Sequence, residues 1–127
     1  MVNETNGQKD IHERIYKFVL RVLKLLASLP KNSINIIITD QCGRAVTSVG
    51  ANDQEADACE SRSDFVAKYT IVKKEIKETN YWIRLIGDTN PEFEERIADL
   101  QKEGKEILLI VSSIIKKSKS KKVNLDL

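Results

Sequence analysis

The stretch SDFVAKYTIVKKEIKETNYWIRLI, residues 63–86, decides the fold class of this 127-residue chain. Its inward-facing positions recur at alternating steps of four and three residues. They are Phe65, Tyr69, Val72, Ile76, Thr79, Ile83 and Ile86. The stretch PEFEERIADLQKEGKEILLIVSSI, residues 91–114, repeats these steps at Phe93, Ile97, Leu100, Gly104, Ile107, Val111 and Ile114. A repeat of about 3.5 residues is typical of helices that pack nearly parallel, knobs into holes. The two stretches therefore predict neighbouring amphipathic helices.

Two earlier segments extend the helical pattern. From Asp10, a suitable N-cap, apolar residues recur at helical spacing as far as Leu29, and Pro30 stops the helix. The second segment opens with the β-branched run at residues 34–39, which could form a strand. Beyond that run, small and apolar residues keep a period near 3.6 with no strong turn signal, so we interpret the whole segment as helix.

The sequence thus predicts an all-α fold, an antiparallel up-down-up-down four-helix bundle. The bundle is expected at residues 10–118, with helices at about 10–29, 33–58, 62–87 and 91–117. Residues 1–9 are predicted to be a disordered tail and residues 119–127 a flexible C-terminal tail.

Local signals mark the helix ends and one close contact. Ser61 or Ser63 is the expected cap of the third helix, and Asn90 followed by proline is the expected start of the fourth. Gly43 and Gly50 lower the stability of the second helix, so they predict the close approach of another helix backbone.

Composition narrows the functional classes. The formal net charge is +2, too small to make nucleic-acid binding a default. No run of about 18 apolar residues is present and the N-terminal residues are polar, so we expect neither a membrane span nor a signal peptide. Cys42 and Cys59 are interpreted as small buried residues of a cytoplasmic protein rather than as a disulfide.

The sequence offers little support for a catalytic site or a metal site. The only histidine, His12, lacks the Glu-x-x-His spacing of a di-iron bundle and is interpreted as an exposed residue of the first turn. Ser48 has no base at motif distance. Glu75 and Glu78 share a helix face but are flanked by lysines, which favours solvated ion pairs. We expect no enzyme activity, no catalytic residue, no metal and no cofactor.

Basic residues form the one candidate binding surface for an anion. A stripe on the first helix, opposite its apolar side, should reach solvent as a unit; it consists of Arg14, Lys17, Arg21 and Lys24. A second group lies near the C-terminus and consists of Lys116, Lys117, Lys119, Lys121 and Lys122. Both groups suit RNA or DNA phosphates, and the alternative is a solvated face with a solubilising tail.

The block from Asp40-Gln41 to Glu55-Ala56 resembles the bacterial four-helix-bundle family named for the 23S rRNA intervening-sequence protein, also labelled S23. Its polar motif residues here are Arg44, Ser48, Asn52 and Glu55. The resemblance continues through Ser63-Asp64-Phe65, Lys74-Glu75 and Tyr81-Trp82-Ile83-Arg84, over about residues 12–118. It implies a bundle assembled into a homo-oligomeric ring, commonly a homopentamer. One relative is the accessory protein of diversity-generating retroelements, which binds nucleic acid and a reverse transcriptase through a basic surface.

Three residues carry further structural expectations. Asn52 is predicted to bond to a neighbouring helix and so to specify register; the alternative is that it lines a groove for a ligand or peptide. Tyr81 and Trp82 point about 100° apart on a helix, so at least one is expected at a subunit interface.

Apolar residues outside the core seams also favour a homo-oligomer: Tyr16, Val19, Leu23, Val66, Trp82 and Ile110.

The resulting functional prediction is a non-enzymatic oligomeric helical module. It is expected to bind nucleic acid or a nucleic-acid-handling protein such as a reverse transcriptase. The alternative is a protein-interaction scaffold with no nucleic-acid binding. Salt dependence separates the two, because phosphate contacts weaken steeply as ionic strength rises.

Overall fold

The computed structural model of the chain describes the backbone of residues 4–126 and the side chains of residues 11–120. Over that backbone it contains four helices and no strand: α1 (Glu4–Ser28), α2 (Ser33–Asp57), α3 (Arg62–Thr89) and α4 (Glu94–Asp126). A 3-10 turn at Pro91–Phe93 leads into α4. Each helix packs against the next, and α1 closes the bundle against α4. The predicted all-α four-helix bundle is confirmed.

The inner helix ends follow local sequence signals. The Asn32 side chain accepts a 2.8 Å hydrogen bond from the Asn35 amide and caps α2. Ser61 accepts a 3.0 Å bond from the Asp64 amide at the start of α3, as predicted. Asn90 stands at the predicted boundary before Pro91, but its side chain makes no capping bond there.

The outer helix ends differ from the sequence prediction. The first helix begins at Glu4 and the last continues to Asp126, so residues 4–9 and 119–126, predicted as tails, have helical backbone. The prediction relied on apolar periodicity, which marks the packed part of a helix rather than its length. Neither extension contains a proline, and adding residues to an existing helix costs little free energy. Lys121 and Lys122 have side chains outside the described residues.

The core is built from the seams that the sequence predicts. Most of the predicted inward positions of α3 and α4 are buried, while Phe65, Phe93 and Ile114 at the ends are only half-buried. All four helices contribute to one apolar cluster. Buried apolar area of this kind is the main stabilising contribution to the fold.

Glycine marks two very close approaches between α3 and α4, at Gly104 and at Gly87, where a Cβ atom would lie 2.8 Å from Ile97 Cγ2. A Cβ atom at Gly104 of α4 would overlap the Asn80 side chain of α3. At Gly43 a Cβ would lie 3.8 Å from Leu26 Cδ1, and at Gly50 it would lie 3.4 Å from Val19 Cγ2. These two positions therefore face side chains of α1, and the predicted approach of a helix backbone there was wrong.

No helix in the described part of the chain combines the length and the apolar character needed to cross a membrane.

Candidate functional site

Two of the four residues in the stripe predicted on α1 form ion pairs with acidic residues of α4. Arg14 donates from Nε to Glu103 Oε2 at 3.0 Å and from Nη2 to Glu103 Oε1 at 2.6 Å and Glu106 Oε1 at 3.1 Å. The bond to Glu103 is the main cause that raises the pKa of Arg14. Arg21 Nη2 lies 3.9 Å from Asp99 Oδ2. The expectation that all four cations reach solvent together was therefore wrong, because Arg14 is half-buried against acidic residues of α4.

The remaining described lysines of the predicted surface are exposed. Lys17 and Lys24 lie on α1, and Lys116, Lys117 and Lys119 lie near the end of α4. None of the five makes an ion pair with another side chain of residues 11–120. These lysines, rather than the two arginines, carry positive charge that an external anion could neutralise.

Exposed apolar side chains flank a crevice between α1 and α2. A cavity of about 550 Å³ lies at the end near Pro30, and a second of about 250 Å³ lies farther along the same helix pair. Tyr16 and Ile36 are each 61% exposed at its edges. We call this crevice the α1/α2 groove; it is lined by Tyr16, Val19, Leu23, Ile36, Gly43 and Gly50. Small residues on α2 leave room that α1 does not fill.

The polar motif of α2 lies on the surface of the bundle. Arg44 is exposed and its Nε lies 3.2 Å from Asp40 Oδ2, one turn earlier on the same helix. Glu55 accepts a 2.6 Å bond from Lys68 Nζ of α3. Both contacts are between exposed groups, which contribute little to stability.

Asn52 does not reach a neighbouring helix. It is half-buried, and its Nδ2 donates to the Ser48 carbonyl at 2.9 Å and to Ser48 Oγ at 3.1 Å. The prediction that Asn52 bonds across helices was wrong, because its amide reaches the carbonyl one turn earlier before any other helix. The groove alternative for this residue also finds no support, since Asn52 lines neither cavity of the α1/α2 groove.

A buried amide pair does join two helices elsewhere. Asn35 and Asn90 are each 3% exposed and hydrogen-bond reciprocally, with Nδ2 to Oδ1 distances of 2.9 and 3.0 Å. Asn35 Nδ2 also donates to the Pro30 carbonyl at 2.8 Å, and Asn90 Nδ2 to the Ile86 carbonyl at 3.1 Å. The pair therefore ties the start of α2 to the end of α3. An asparagine inside the β-branched run at 34–39 was the signal that could have found it.

His12 lies in a polar cluster at the opposite end of the bundle. Its Nδ1 is 2.8 Å from Asp53 Oδ1 and its Nε2 is 3.2 Å from Asp57 Oδ1. Tyr69 donates its hydroxyl to the same Asp53 oxygen at 2.6 Å. The expectation of an exposed first-turn histidine was wrong, because α1 begins at Glu4 and His12 then faces α2.

The environment shifts the titration of two members of this cluster. The hydrogen bond to Asp53 is the main cause that raises the pKa of His12, against an opposing effect of burial. Burial, followed by the bond to Asp53, raises the pKa of the Tyr69 phenol, so that group remains a hydrogen-bond donor. Asp53 Oδ2 is buried and has no partner among the described residues.

Both cysteines are free thiols: Cys42 is buried as expected, whereas Cys59 is half-buried, contrary to the expectation of a buried residue. Cys42 is fully buried and burial raises its pKa to about 12, so its thiol is unreactive. Burial is also the main cause that raises the pKa of Glu75, with Glu78 adding to it. Neither glutamate makes an ion pair with a described residue, contrary to expectation. Within residues 11–120, no group of three or more His, Cys, Asp or Glu side chains is arranged to hold a metal.

The aromatic pair of α3 lies on the outside of the bundle. Tyr81 is exposed and its ring centroid is 4.9 Å from that of Trp82 in an edge-to-face arrangement. Trp82 is half-buried and its Nε1 donates to Glu78 Oε2 at 3.3 Å. Neither ring is part of the closed core, so their expected place at a subunit interface stays a prediction.

The comparisons with known proteins agree with the fold. The family model described as "23S rRNA-intervening sequence protein" matches residues 8–113. A crystal structure of a protein of unknown function from the S23 ribosomal protein family of Bacteroides thetaiotaomicron VPI-5482 is similar to this chain, with 31% sequence identity and a TM-score of 0.77. The alignment covers 86% of this chain and 97% of that one. The search of curated proteins found no match.

Proposed function

This chain belongs to the 23S rRNA-intervening sequence protein family, and we propose that it is a non-enzymatic helical module that assembles with copies of itself through the α1/α2 groove. The observation that carries the proposal is the exposed apolar edge of that groove, formed by Tyr16, Leu23 and Ile36. Contiguous exposed apolar surface of this kind usually marks a protein interface.

A second copy is the occupant that the groove fits. Apolar side chains also project from surfaces outside it: Ile34 and Ile37, one turn apart on α2, and Leu109 on α4, which is 71% exposed. An apolar groove and separate exposed apolar side chains on the same chain favour a head-to-tail contact. Repeated head-to-tail contacts close into a ring when the rotation between copies permits it. The family resemblance favours five copies.

We expect Leu23→Asp to convert the assembly into a monomer of 14.4 kDa. The substitution places a carboxylate in the groove, where an apolar contact would have to desolvate it. Leu23 is exposed in the single chain, so helicity should persist. Light scattering at micromolar concentration measures the mass and circular dichroism the helicity. The matched control is Ala67→Asp, an exposed position on α3 outside the groove, which should leave the mass unchanged. A parent protein that scatters as a monomer would contradict the proposal.

A second candidate function is nucleic-acid binding by the assembled module. The specific observation in its favour is the set of five exposed lysines, Lys17, Lys24, Lys116, Lys117 and Lys119, without ion-pair partners among residues 11–120. A ring would present several copies of this set to one RNA or DNA strand and raise a weak affinity by avidity. A nucleic-acid-handling protein such as a reverse transcriptase is the related partner that the resemblance implies.

We expect Lys17→Gln with Lys24→Gln to weaken RNA and DNA binding and to reduce the salt slope by about one unit for each phosphate that a lysine no longer neutralises. Exposed lysines contribute little to folding, so the melting temperature should stay nearly unchanged. Arg14→Gln is the contrasting variant: it breaks the ion pair with Glu103, so it should lower the melting temperature more than it lowers affinity. A mobility-shift titration at low and high salt measures the affinity. No shift at about 10 μM parent protein would leave the protein scaffold as the only function.

A further inference from the structure

Both ring nitrogens of His12 face carboxylate oxygens. Nδ1 lies 2.8 Å from Asp53 and Nε2 lies 3.2 Å from Asp57. A neutral imidazole has one N–H and therefore turns a lone pair toward one of the two carboxylates. Only the imidazolium ion offers a donor to both. The geometry thus matches the protonated form of this histidine, the only one in the chain.

The other elements packed around His12 add no second cation among the described side chains. The loop after α2 contributes Cys59, and α4 contributes the apolar Ile114. From α3, Tyr69 donates to the same Asp53 oxygen that His12 contacts. Asp53 is 1% exposed, so loss of a partner leaves its carboxylate poorly solvated.

We propose that His12, Asp53, Asp57 and Tyr69 form a proton-operated latch that holds α1 against α2 and α3 while His12 carries its proton. In the latched form the imidazolium compensates the buried Asp53 carboxylate, and Tyr69 donates a second hydrogen bond to the same Asp53 oxygen. When His12 loses its proton, one of its ring nitrogens turns a lone pair toward a carboxylate. The buried charge of Asp53 is then left without a counter-ion. The α1 segment around His12 then opens more readily, while the apolar core keeps the bundle folded.

The direction of the pH dependence follows from proton linkage. The pKa of His12 is raised in the folded chain above its ordinary value of 6.5, chiefly by the bond to Asp53. A raised pKa means that the folded state binds the proton more tightly than the open state does. The latch therefore contributes its full stability below pH 6.5 and loses it as the pH rises through the folded-state pKa of His12.

An NMR titration combined with amide hydrogen exchange tests the latch. Because His12 is the only histidine, one ring resonance reports its pKa, which we expect above 6.5. Amides of residues 11–18 should open more often at high pH, after correction for the intrinsic exchange rate. The opening equilibrium constant should rise about tenfold for each unit by which the measured pKa of His12 exceeds its ordinary value of 6.5. Repeating both measurements in Leu23→Asp separates the latch from assembly, since that variant is expected to be monomeric.

Single substitutions distinguish a latch that depends on the His12 proton from packing that does not. Asp57→Asn should lower the pKa of His12 and reduce the pH dependence of exchange, and His12→Gln should abolish that dependence. Asp40→Asn removes an exposed carboxylate on the same helix and should change neither. Tyr69→Phe keeps both carboxylates and should preserve the titration of His12. A His12 pKa at or below 6.5 in the folded protein, or an unchanged pH dependence in His12→Gln, would overturn the proposal.

Discussion

Replacing Tyr69 with alanine is expected to lower the free energy of unfolding by about 3–5 kcal/mol, the usual range for an aromatic residue removed from a packed core. The Tyr69 ring is fully buried and stacks on Phe65 with a centroid distance of 4.7 Å. Its hydroxyl is also a donor to the buried carboxylate of Asp53. Domains of this size have a total stability of only about 5–15 kcal/mol, so the loss is a large fraction.

Two controls divide this effect into its parts. Tyr69→Phe removes only the hydroxyl and should cost about 1.5–3 kcal/mol, the usual contribution of a hydrogen bond to a charged group, since Asp53 Oδ1 keeps its contact with His12. Tyr81→Ala removes an exposed tyrosine from the same helix and should change stability by less than about 0.5 kcal/mol. Urea unfolding followed by circular dichroism measures all three at one protein concentration, because assembly adds to apparent stability. A Tyr69→Ala variant within about 1 kcal/mol of the parent would refute the expectation.

Asn35→Leu is expected to cost about 2–4 kcal/mol, because it leaves the buried Oδ1 of Asn90 unpaired and also removes the bond to the Pro30 carbonyl. The substitution removes both hydrogen bonds to Asn90 and the bond to the Pro30 carbonyl. In a double-mutant cycle, Asn35→Leu with Asn90→Leu should cost less than the two single variants added together, by at least about 1 kcal/mol.

The matched control is the same substitution at Asn52. Among residues 11–120, the Asn52 amide bonds only within its own helix, to Ser48, and the residue is half-buried. We expect Asn52→Leu to change stability by less than about 1 kcal/mol. Thermal and urea unfolding compare the two sites. Equal losses at both positions would mean that the Asn35–Asn90 pair contributes nothing specific.

Local signals in the sequence account for the architecture. The four-three steps of residues 65–86 and 93–114 lie on the buried faces of α3 and α4. Pro30, Ser61 and the Asn90-Pro91 pair stand where the inner helices end or begin. Such signals are readable because helical periodicity and capping depend on residues within a few positions of each other. The outer ends of α1 and α4 lacked such signals and were placed too far inward.

The polar contacts required the tertiary structure. Arg14 pairs with a glutamate 89 positions away, His12 with an aspartate 41 positions away, and Asn35 with an asparagine 55 positions away. Which charged or polar side chains meet depends on the rotation and axial offset between helices. Those two quantities are set by how the apolar seams interlock, and a change of about 100° per residue moves a side chain to another face.

By itself, therefore, the sequence determined the number of helices, their inner boundaries, their apolar faces and the family. Only the tertiary structure decided that the basic stripe is partly neutralised by α4, that Asn35 rather than Asn52 joins two helices, and that His12 lies between two carboxylates. The physical reason is the range of the interactions. Helix formation and apolar patterning are local along the chain, whereas ion pairs and buried hydrogen bonds between helices form only where packing brings distant residues within about 3 Å.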